Sequence, residues 1–353
     1  MIYSLEQIRA IPIIFIVGKG RSGTTLLSTI LDSHPNVASV TESRFLLLVW
    51  QRYKGLKKWD ASLADEYLQT VRRDYHIELF WEFEEGLLEN LKQLPPEAKV
   101  QDLIKLTYIY KKSMFLKEEI KFIVDKNPRY TLFIHKLNRI FPKAKFIRII
   151  RDPRDNVASS IKYNNRKAIG IAYKWKKYNQ YFDGYEKGNE NAATFSFEDL
   201  IKDKAAYFER FEHFTNLSNL LVYEQARLAK KDEFERILNE PLKEQHGHTV
   251  KPLDKKKVGH FQSKLKPIQI RNIEAVVFPY ANKFNYEKTT EKHAIGLKRM
   301  LRLSLHYQYK FIGNQIVYNL PYAWMMKVKN YIFNNLQKNK KKKYESLLKE
   351  HES

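Results

Sequence analysis

The sequence predicts an α/β fold: a three-layer sandwich around a central parallel sheet, with a helical insertion after the first βα unit and a basic helical extension at the C-terminus. Three observations predict it. Apolar, β-branched runs at Ile11–Val17, Lys121–Asp125 and Lys145–Ile150 have the character of parallel strands buried on both faces, and each leads through a loop into a helical pattern. The first run opens into Gly18 to Thr25, GKGRSGTT, which nearly spells the phosphate-binding pattern GxxxxGK[ST] and makes the fold P-loop-like. After about Lys288 the composition shifts to alternating basic and aromatic residues.

Taken in order, the first strand ends at a glycine, and TTLLSTILDS from Thr24 opens a helix. From Ser43 to about Leu116 the pattern is mostly helical, rich in aromatics and charges, with a break at Leu94-Pro95-Pro96; this is the insertion between strands. Tyr130–Phe141 has helical spacing and stops before Pro142. A short strand at Ala193–Phe197 precedes Glu198-Asp199-Leu200 and a long helical region to about Arg236. His246–His260 is a basic loop, HGHTVKPLDKKKVGH, and Pro267–Phe278 is the last helix of the core. The expected division is a domain over 1–288 and an extension over 289–353 that ends in the lysine run Lys338–Lys343.

The 353 residues, 43% of them hydrophobic, suffice for one large domain or two moderate ones. A formal net charge of +23 suits polyanions, phosphorylated small molecules or anionic membranes as partners. The absence of cysteine excludes disulfides, thiolate metal sites and cysteine nucleophiles. The N-terminus shows neither a basic n-region nor a small-residue cleavage site, so a cytoplasmic protein is expected. Phe311–Met326, the longest uncharged run, is shorter than the ~20 residues a spanning helix needs, and no transmembrane segment is expected.

In the glycine loop, the position that holds lysine in a nucleoside triphosphatase holds Thr24. That lysine reaches the β and γ phosphates, and the following hydroxyl holds Mg²⁺. A ligand with one phosphate and one sulfate needs neither. Here positive charge comes earlier, from Lys19 and Arg21, while Gly20 and Gly23 let backbone N–H groups approach an anion at the N-terminus of a helix. On this stretch alone, a ligand-free strand-to-helix turn and a degenerate triphosphatase stay open.

The run Arg21–Pro35, RSGTTLLSTILDSHP, resembles the 5′-phosphosulfate-binding loop of the sulfotransferase family, which uses 3′-phosphoadenosine 5′-phosphosulfate (PAPS). Asp125–Ile161 resembles that family's segment leading into its 3′-phosphate motif RDPRDxxxS. With weaker likeness at Phe195–Leu200 and Val250–Gly259, the resemblance covers about residues 11–287. It implies that Lys19, Arg21, Ser22, Gly23, Thr24 and Thr25 hold the 5′-phosphosulfate, and Arg151 and Ser159 the 3′-phosphate. A guanidinium suits the latter task because it donates two charge-assisted bonds to phosphate. Lys251, Lys257 and Gly259 would belong to the loop that closes over the nucleotide, with Phe261 as its aromatic and His260 where basic residues are common.

Glu42 stands at the spacing where tyrosylprotein-sulfotransferase-like members carry a general base, with Arg44 beside it; the plainer reading has Glu42 cap or pair with the following helix. Lys126 matches a family lysine that neutralises the leaving oxygen, and Arg21 joins Glu42 and Lys126 at the chemistry. The rival reading makes Asp125 a Mg²⁺ ligand of a kinase or triphosphatase. A further rival is a basic membrane- or nucleic-acid-binding protein with a vestigial site, although nucleic acid is not expected. His246 and His248 read as loop residues, and no metal is expected.

The expected reaction is sulfuryl transfer from PAPS to an acceptor hydroxyl. A lipid, sterol or glycolipid acceptor is preferred, a carbohydrate comes next, and protein tyrosine is less favoured. Trp50, Tyr53, Trp59, Phe80, Trp81 and Phe83 line an acceptor pocket on one reading and belong to the core on the other. The extension 289–353 is either an interfacial segment on an anionic membrane, peripheral at the inner face, or a helix docked on the domain.

Overall fold

Five parallel strands run in the order β2-β3-β1-β4-β5 in a computed structural model that describes residues 2–164, 168–229, 252–291 and 295–332. They are β1 (Ile13–Gly18), β2 (Val37–Thr41), β3 (Phe122–Lys126), β4 (Lys145–Ile150) and β5 (Ala192–Ser196). β1 is central, with Phe15 opposite Asp125 of β3 on one side and Phe146 of β4 on the other. Because side chains alternate across a strand, Phe15 and Val17 enter one core cluster with Phe45, Tyr130 and Phe146. Ile14 and Ile16 enter the opposite one with Leu27, Leu31 and Phe195. Helices on both faces complete the three layers.

The sheet has one strand more than the sequence runs suggest. β2, Val-Ala-Ser-Val-Thr, is too short and too rich in small residues to read as a buried run, yet it pairs with β3 in register, Thr41 opposite Lys126. The helical insertion therefore follows β2 and returns to β3. Its residues Tyr53, Trp59 and Trp81 are core, Trp50 and Phe83 pack against that core, and Phe80 is exposed. Helix Leu87–Gln93 stops at Leu94, as Pro95 and Pro96 require.

Two expected helices are interrupted. Over Tyr130–Phe141, a 3₁₀ turn at Pro128–Phe133 precedes the α-helix Ile134–Ile140. The region after β5 divides into Phe197–Lys202, Lys204–Thr215 and Leu220–Ala229, with left-handed Asn216 and Asn219 breaking the last two apart. Its expected end near Arg236 lies outside the described residues. Pro267–Val277 is helical as expected.

The C-terminal segment docks on the domain. After helix Leu297–Val317, the chain turns into a second helix over 322–332. Between them Tyr318 is buried, and Met325 is buried at the start of the second helix. Gln51 donates to the Leu320 carbonyl, Gln315 to that of Leu132, and Lys136 to that of Tyr318 at 2.5 Å. Among the described residues no helix is long and apolar enough to cross a membrane.

Candidate active site

The chemistry-bearing residues collect at the C-terminal ends of β1, β2, β3 and β4, where open α/β sheets bind ligands. The loop after β1 is fixed by backbone geometry. Gly23 has φ +87°, and a Cβ there would lie 2.4 Å from the Phe197 ring, so only glycine fits. The Gly18 N–H donates to Thr131 Oγ1 at 2.8 Å. Asn156 Nδ2 donates to the Gly20 carbonyl and to Ser22 Oγ, each at 3.0 Å, and ties the loop to the helix Pro153–Asn164. Ser22 and Thr24 are buried, while helix Thr24–Asp32 points its N-terminus at the loop. Lys19 Nζ donates to the Gly20 carbonyl at 3.2 Å. Arg21, at φ 73°, donates from Nε to Ser159 Oγ at 3.2 Å. One hydrogen bond thus joins residues expected at opposite ends of the nucleotide.

Glu42 and Lys126 meet. Lys126 Nζ donates to Glu42 Oε1 at 2.8 Å and to Thr25 Oγ1 at 3.1 Å. The Lys126 side chain is 0% exposed and that of Glu42 46%, so the carboxylate is held from below and open to the cleft. Glu42 adopts φ 56°, a left-handed conformation uncommon outside glycine, and its N–H donates to the Lys126 carbonyl at 2.9 Å. At the start of the following helix Ser43 Oγ accepts from the Phe45 N–H. His76 lines the same cleft. Burial pulls its pKa below the usual value, against the pull of Glu42 and Asp74. Nothing around a lone histidine in a helical stretch signalled this place.

Arg151 lies under the other end of the loop. It is buried, with its guanidinium 4.5 Å over the Phe197 ring. Nη2 donates to the Lys257 carbonyl at 2.5 Å and Nη1 to that of Arg21 at 3.4 Å, while Nε is buried without a hydrogen-bond partner. Burial lowers its pKa, with Asp155 opposing the shift. Asp155, fully buried, accepts from the N–H groups of Gly259 and Phe261, each at 2.8 Å, and pairs with His260 Nδ1 at 2.8 Å. The late loop is thereby fastened to the Arg151 motif. Gly259 directs its N–H to Asp155, and Lys257 offers Arg151 its carbonyl while its ammonium lies 3.9 Å from Asp254. Lys251, His246 and His248 lie outside the described residues. Asp155 and Asn156 were not singled out in the sequence, although an acid one turn after Arg151 was the available signal.

Two neighbours of these residues serve the scaffold. Arg154 is held by Asp152 at 2.7 Å and Glu274 at 2.8 Å, so the first arginine of RDPRD, and not the second, faces the cleft. Asp125 points away from Lys126 into the core, where it accepts from the Tyr108 hydroxyl, and burial raises its pKa to about 8. Asp125 is buried behind Tyr108 and does not line the cleft. Among the described residues no cluster of His, Asp and Glu suits a metal.

The cleft is continuous and measures about 2280 Å³, larger than the ~300–1,000 Å³ of a typical single-ligand pocket. Its lining includes Arg151, Ser159, Thr25, Glu42, Tyr318 and Lys329, with Lys126 joining Thr25 to Glu42 and the Tyr318 ring lying near both Arg44 and Lys329. Two ligands side by side fit such a space.

Comparison with known proteins finds relatives of one kind. Human protein-tyrosine sulfotransferase 1 is 29% identical over 151 residues, covering 42% of this chain and 34% of that protein. The omega-hydroxy-beta-dihydromenaquinone-9 sulfotransferase Stf3 of Mycobacterium bovis is 29% identical over 174 residues, covering 42% and 44%. The chain thus spans less than half the length of either relative. The sulfotransferase domain of the Synechococcus PCC 7002 olefin synthase aligns with a TM-score of 0.46 at 19% identity, covering 78% of this chain and 95% of that one. The family model described as Sulfotransferase family matches residues 12–219, a span that takes in the glycine loop, Glu42, Lys126 and the Arg151 motif. On that match the chain belongs to the sulfotransferase family.

Proposed function

We propose that the protein is a PAPS-dependent enzyme that transfers a sulfuryl group to an acceptor hydroxyl and releases 3′,5′-ADP. The observation that carries this reading is the Glu42–Lys126 pair, held at 2.8 Å beside Thr25 at the mouth of the glycine loop. The donor site fits the donor's two anionic ends. The loop and its helix N-terminus suit the 5′-phosphosulfate, and buried Arg151, with its unpartnered Nε, suits the 3′-phosphate beside Ser159.

In this scheme Glu42 accepts the acceptor's hydroxyl proton as the acceptor oxygen bonds to sulfur. The old S–O bond breaks, and its electron pair leaves on the phosphate oxygen. Lys126, Arg21 and the loop N–H groups neutralise the charge that develops there, which lowers the barrier because the charge is greatest in the transition state. No step needs a metal ion.

For the acceptor, we read a lipid, sterol or glycolipid hydroxyl presented at an anionic membrane surface, with the protein peripheral on the cytoplasmic face. On helix Leu297–Val317, exposed Leu301, Leu305, Ile312 and Ile316 recur at helical spacing on one face, and Trp324 and Tyr331 are exposed on the helix that follows. With a net charge of +23, an exposed apolar stripe suits an interfacial helix. The mycobacterial relative, named for a menaquinone-derived acceptor, supports this class; a soluble carbohydrate is the second reading.

Calorimetric titration with 3′,5′-ADP, against 5′-AMP and Mg²⁺-ATP, tests the donor. Tight 3′,5′-ADP binding without Mg²⁺ is expected, and a preference for Mg²⁺-ATP would sink the reading. In Glu42→Gln, transfer from labelled PAPS to membrane lipids or sugars should fall ~10²–10⁴-fold with 3′,5′-ADP affinity kept. Unchanged transfer would remove Glu42 from the mechanism.

A further inference from the structure

The C-terminal helix over 322–332 reaches the cleft from outside the span that carries the family match. The buried ring of Tyr318 organises this wall. The Arg44 guanidinium lies 5.4 Å from its centroid and Lys329 Nζ lies 5.7 Å from it. Asn314 and Met326 line the cleft beside them. The wall is anchored to the domain by the carbonyl bonds that Gln51 and Lys136 make to Leu320 and Tyr318.

Charge on this side is unbalanced. Arg44, Arg72, Arg129 and Lys329 line the cleft against Asp74 and Glu78. Arg73 adds a further cation, bonded to the Tyr322 hydroxyl at 3.1 Å. Asp74 is largely committed, since its two oxygens accept the N–H groups of Arg44 at 3.3 Å and His76 at 3.1 Å. Lys329 has no carboxylate within 4 Å among the described residues. A half-buried ammonium with no carboxylate in contact is costly, and a ligand anion offsets that cost.

Building on the sulfotransferase reading, we propose that Lys329 is an acceptor-positioning residue, and that the acceptor carries an anionic group near the hydroxyl that receives the sulfuryl group. Glu42 lines the same cleft, two residues from Arg44 of this wall and joined through Lys126 to Thr25 of the glycine loop, so an acceptor anchored at Lys329 lays its neighbouring hydroxyl toward the base. The anion is a phosphate or carboxylate, whether on a lipid headgroup or on an acidic sugar. The facing charges support the assignment. Burial lowers the Lys329 pKa to about 8, with Asp74 raising and Arg44 lowering it. A bound anion would restore the charge.

The test uses the full chain, PAPS and two matched acceptor pairs: phosphatidylglycerol against monoacylglycerol in detergent micelles, and glucuronic acid against glucose in solution. The anionic member of one pair should win by about tenfold in kcat/KM, and which pair responds identifies the source of the anion. Lys329→Gln should raise KM for that member about tenfold, much more than it lowers kcat, and Lys329→Arg should restore KM. The wild-type KM should rise above about pH 8 as Lys329 loses its proton, and the arginine variant should lose that rise. Equal use of both members, no turnover of any of the four, or a Lys329→Gln enzyme with unchanged KM would overturn the proposal. Affinity for 3′,5′-ADP, measured alongside in every variant, separates these outcomes from a fault in the donor site or the fold.

Discussion

At the donor end of the cleft the cations are already in the protein's own grip: Arg21 reaches Ser159, Lys126 reaches Glu42, and Arg151 reaches the Lys257 carbonyl. At the other end Arg44 and Lys329 lie over a tyrosine ring, and Lys329 has no carboxylate within 4 Å among the described residues. Both ends are basic, but the cations of the first are held by hydrogen bonds within the chain, whereas Lys329 at the second rests over a ring. Pre-organisation of this kind suits a ligand that never changes, because each group is held at a fixed place by strand ends and buried partners such as Asp155 and Asn156. The second end is closed by a later stretch of chain, which lends Tyr318 and Met325 to the core that carries the sheet. The fold therefore builds one end of the cleft on strand ends and the other on the C-terminal helices.

Arg151→Met should break the comparison most sharply. Removing two charge-assisted bonds to a phosphate is expected to weaken 3′,5′-ADP binding ~10²–10³-fold in calorimetry, with 5′-AMP, which lacks the 3′-phosphate, much less affected. Equal losses for both nucleotides would mean that Arg151 acts by holding the Lys257–Phe261 loop rather than by meeting phosphate. The donor end would then be less pre-organised than its hydrogen bonds imply.

A smaller effect is expected from the exposed stripe. Leu305→Glu combined with Ile312→Glu should reduce co-sedimentation with anionic phosphatidylglycerol vesicles by about tenfold or more, because both the apolar area and the charge attraction are lost. Transfer to a soluble acceptor should persist. Truncation after Lys288 is the weaker experiment, since it also strips Tyr318 and Met325 from the core. Unaltered vesicle binding would leave the acceptor end without its membrane role.

The same division explains what could be read in advance. GKGRSGTT and RDPRDNVASS were legible because each short stretch both makes the strand-to-helix turn and supplies groups that line the cleft. Glu42 was singled out by its spacing in the resembled family, without the strand that precedes it. β2 escaped because Ala38 and Ser39 interrupt its apolar run, although pairing with β3 buries it. His76 and Lys329 escaped for a different reason: each gains its meaning from residues far away in sequence, and neither local pattern changes when that packing is lost. Asp155 lay inside a recognised motif, and its role as the anchor of Gly259 emerged only once the late loop was folded onto it.

The mildest prediction concerns Asp125, one residue from Lys126 but on the opposite face of β3. Its carboxyl is held protonated up to about pH 8 by burial, whereas in the unfolded chain it ionises near its ordinary value of 3.8. Between those values the native state binds more protons than the unfolded state, so stability contributed by this group is full below pH 4 and is lost as pH rises toward 8. Asp125→Asn keeps a neutral group against Tyr108, so the thermal midpoint should decline less between pH 5 and 8 than in the wild type. Sulfuryl transfer should be unchanged. Loss of transfer in this variant, at a pH where it is as stable as the wild type, would bring Asp125 into the chemistry and reopen the reading in which it serves a Mg²⁺-bound nucleotide. Unchanged transfer with the flattened pH profile would instead show that β3 separates the two jobs within adjacent residues: Lys126 toward the donor, and Asp125 toward the core that holds the strand in place.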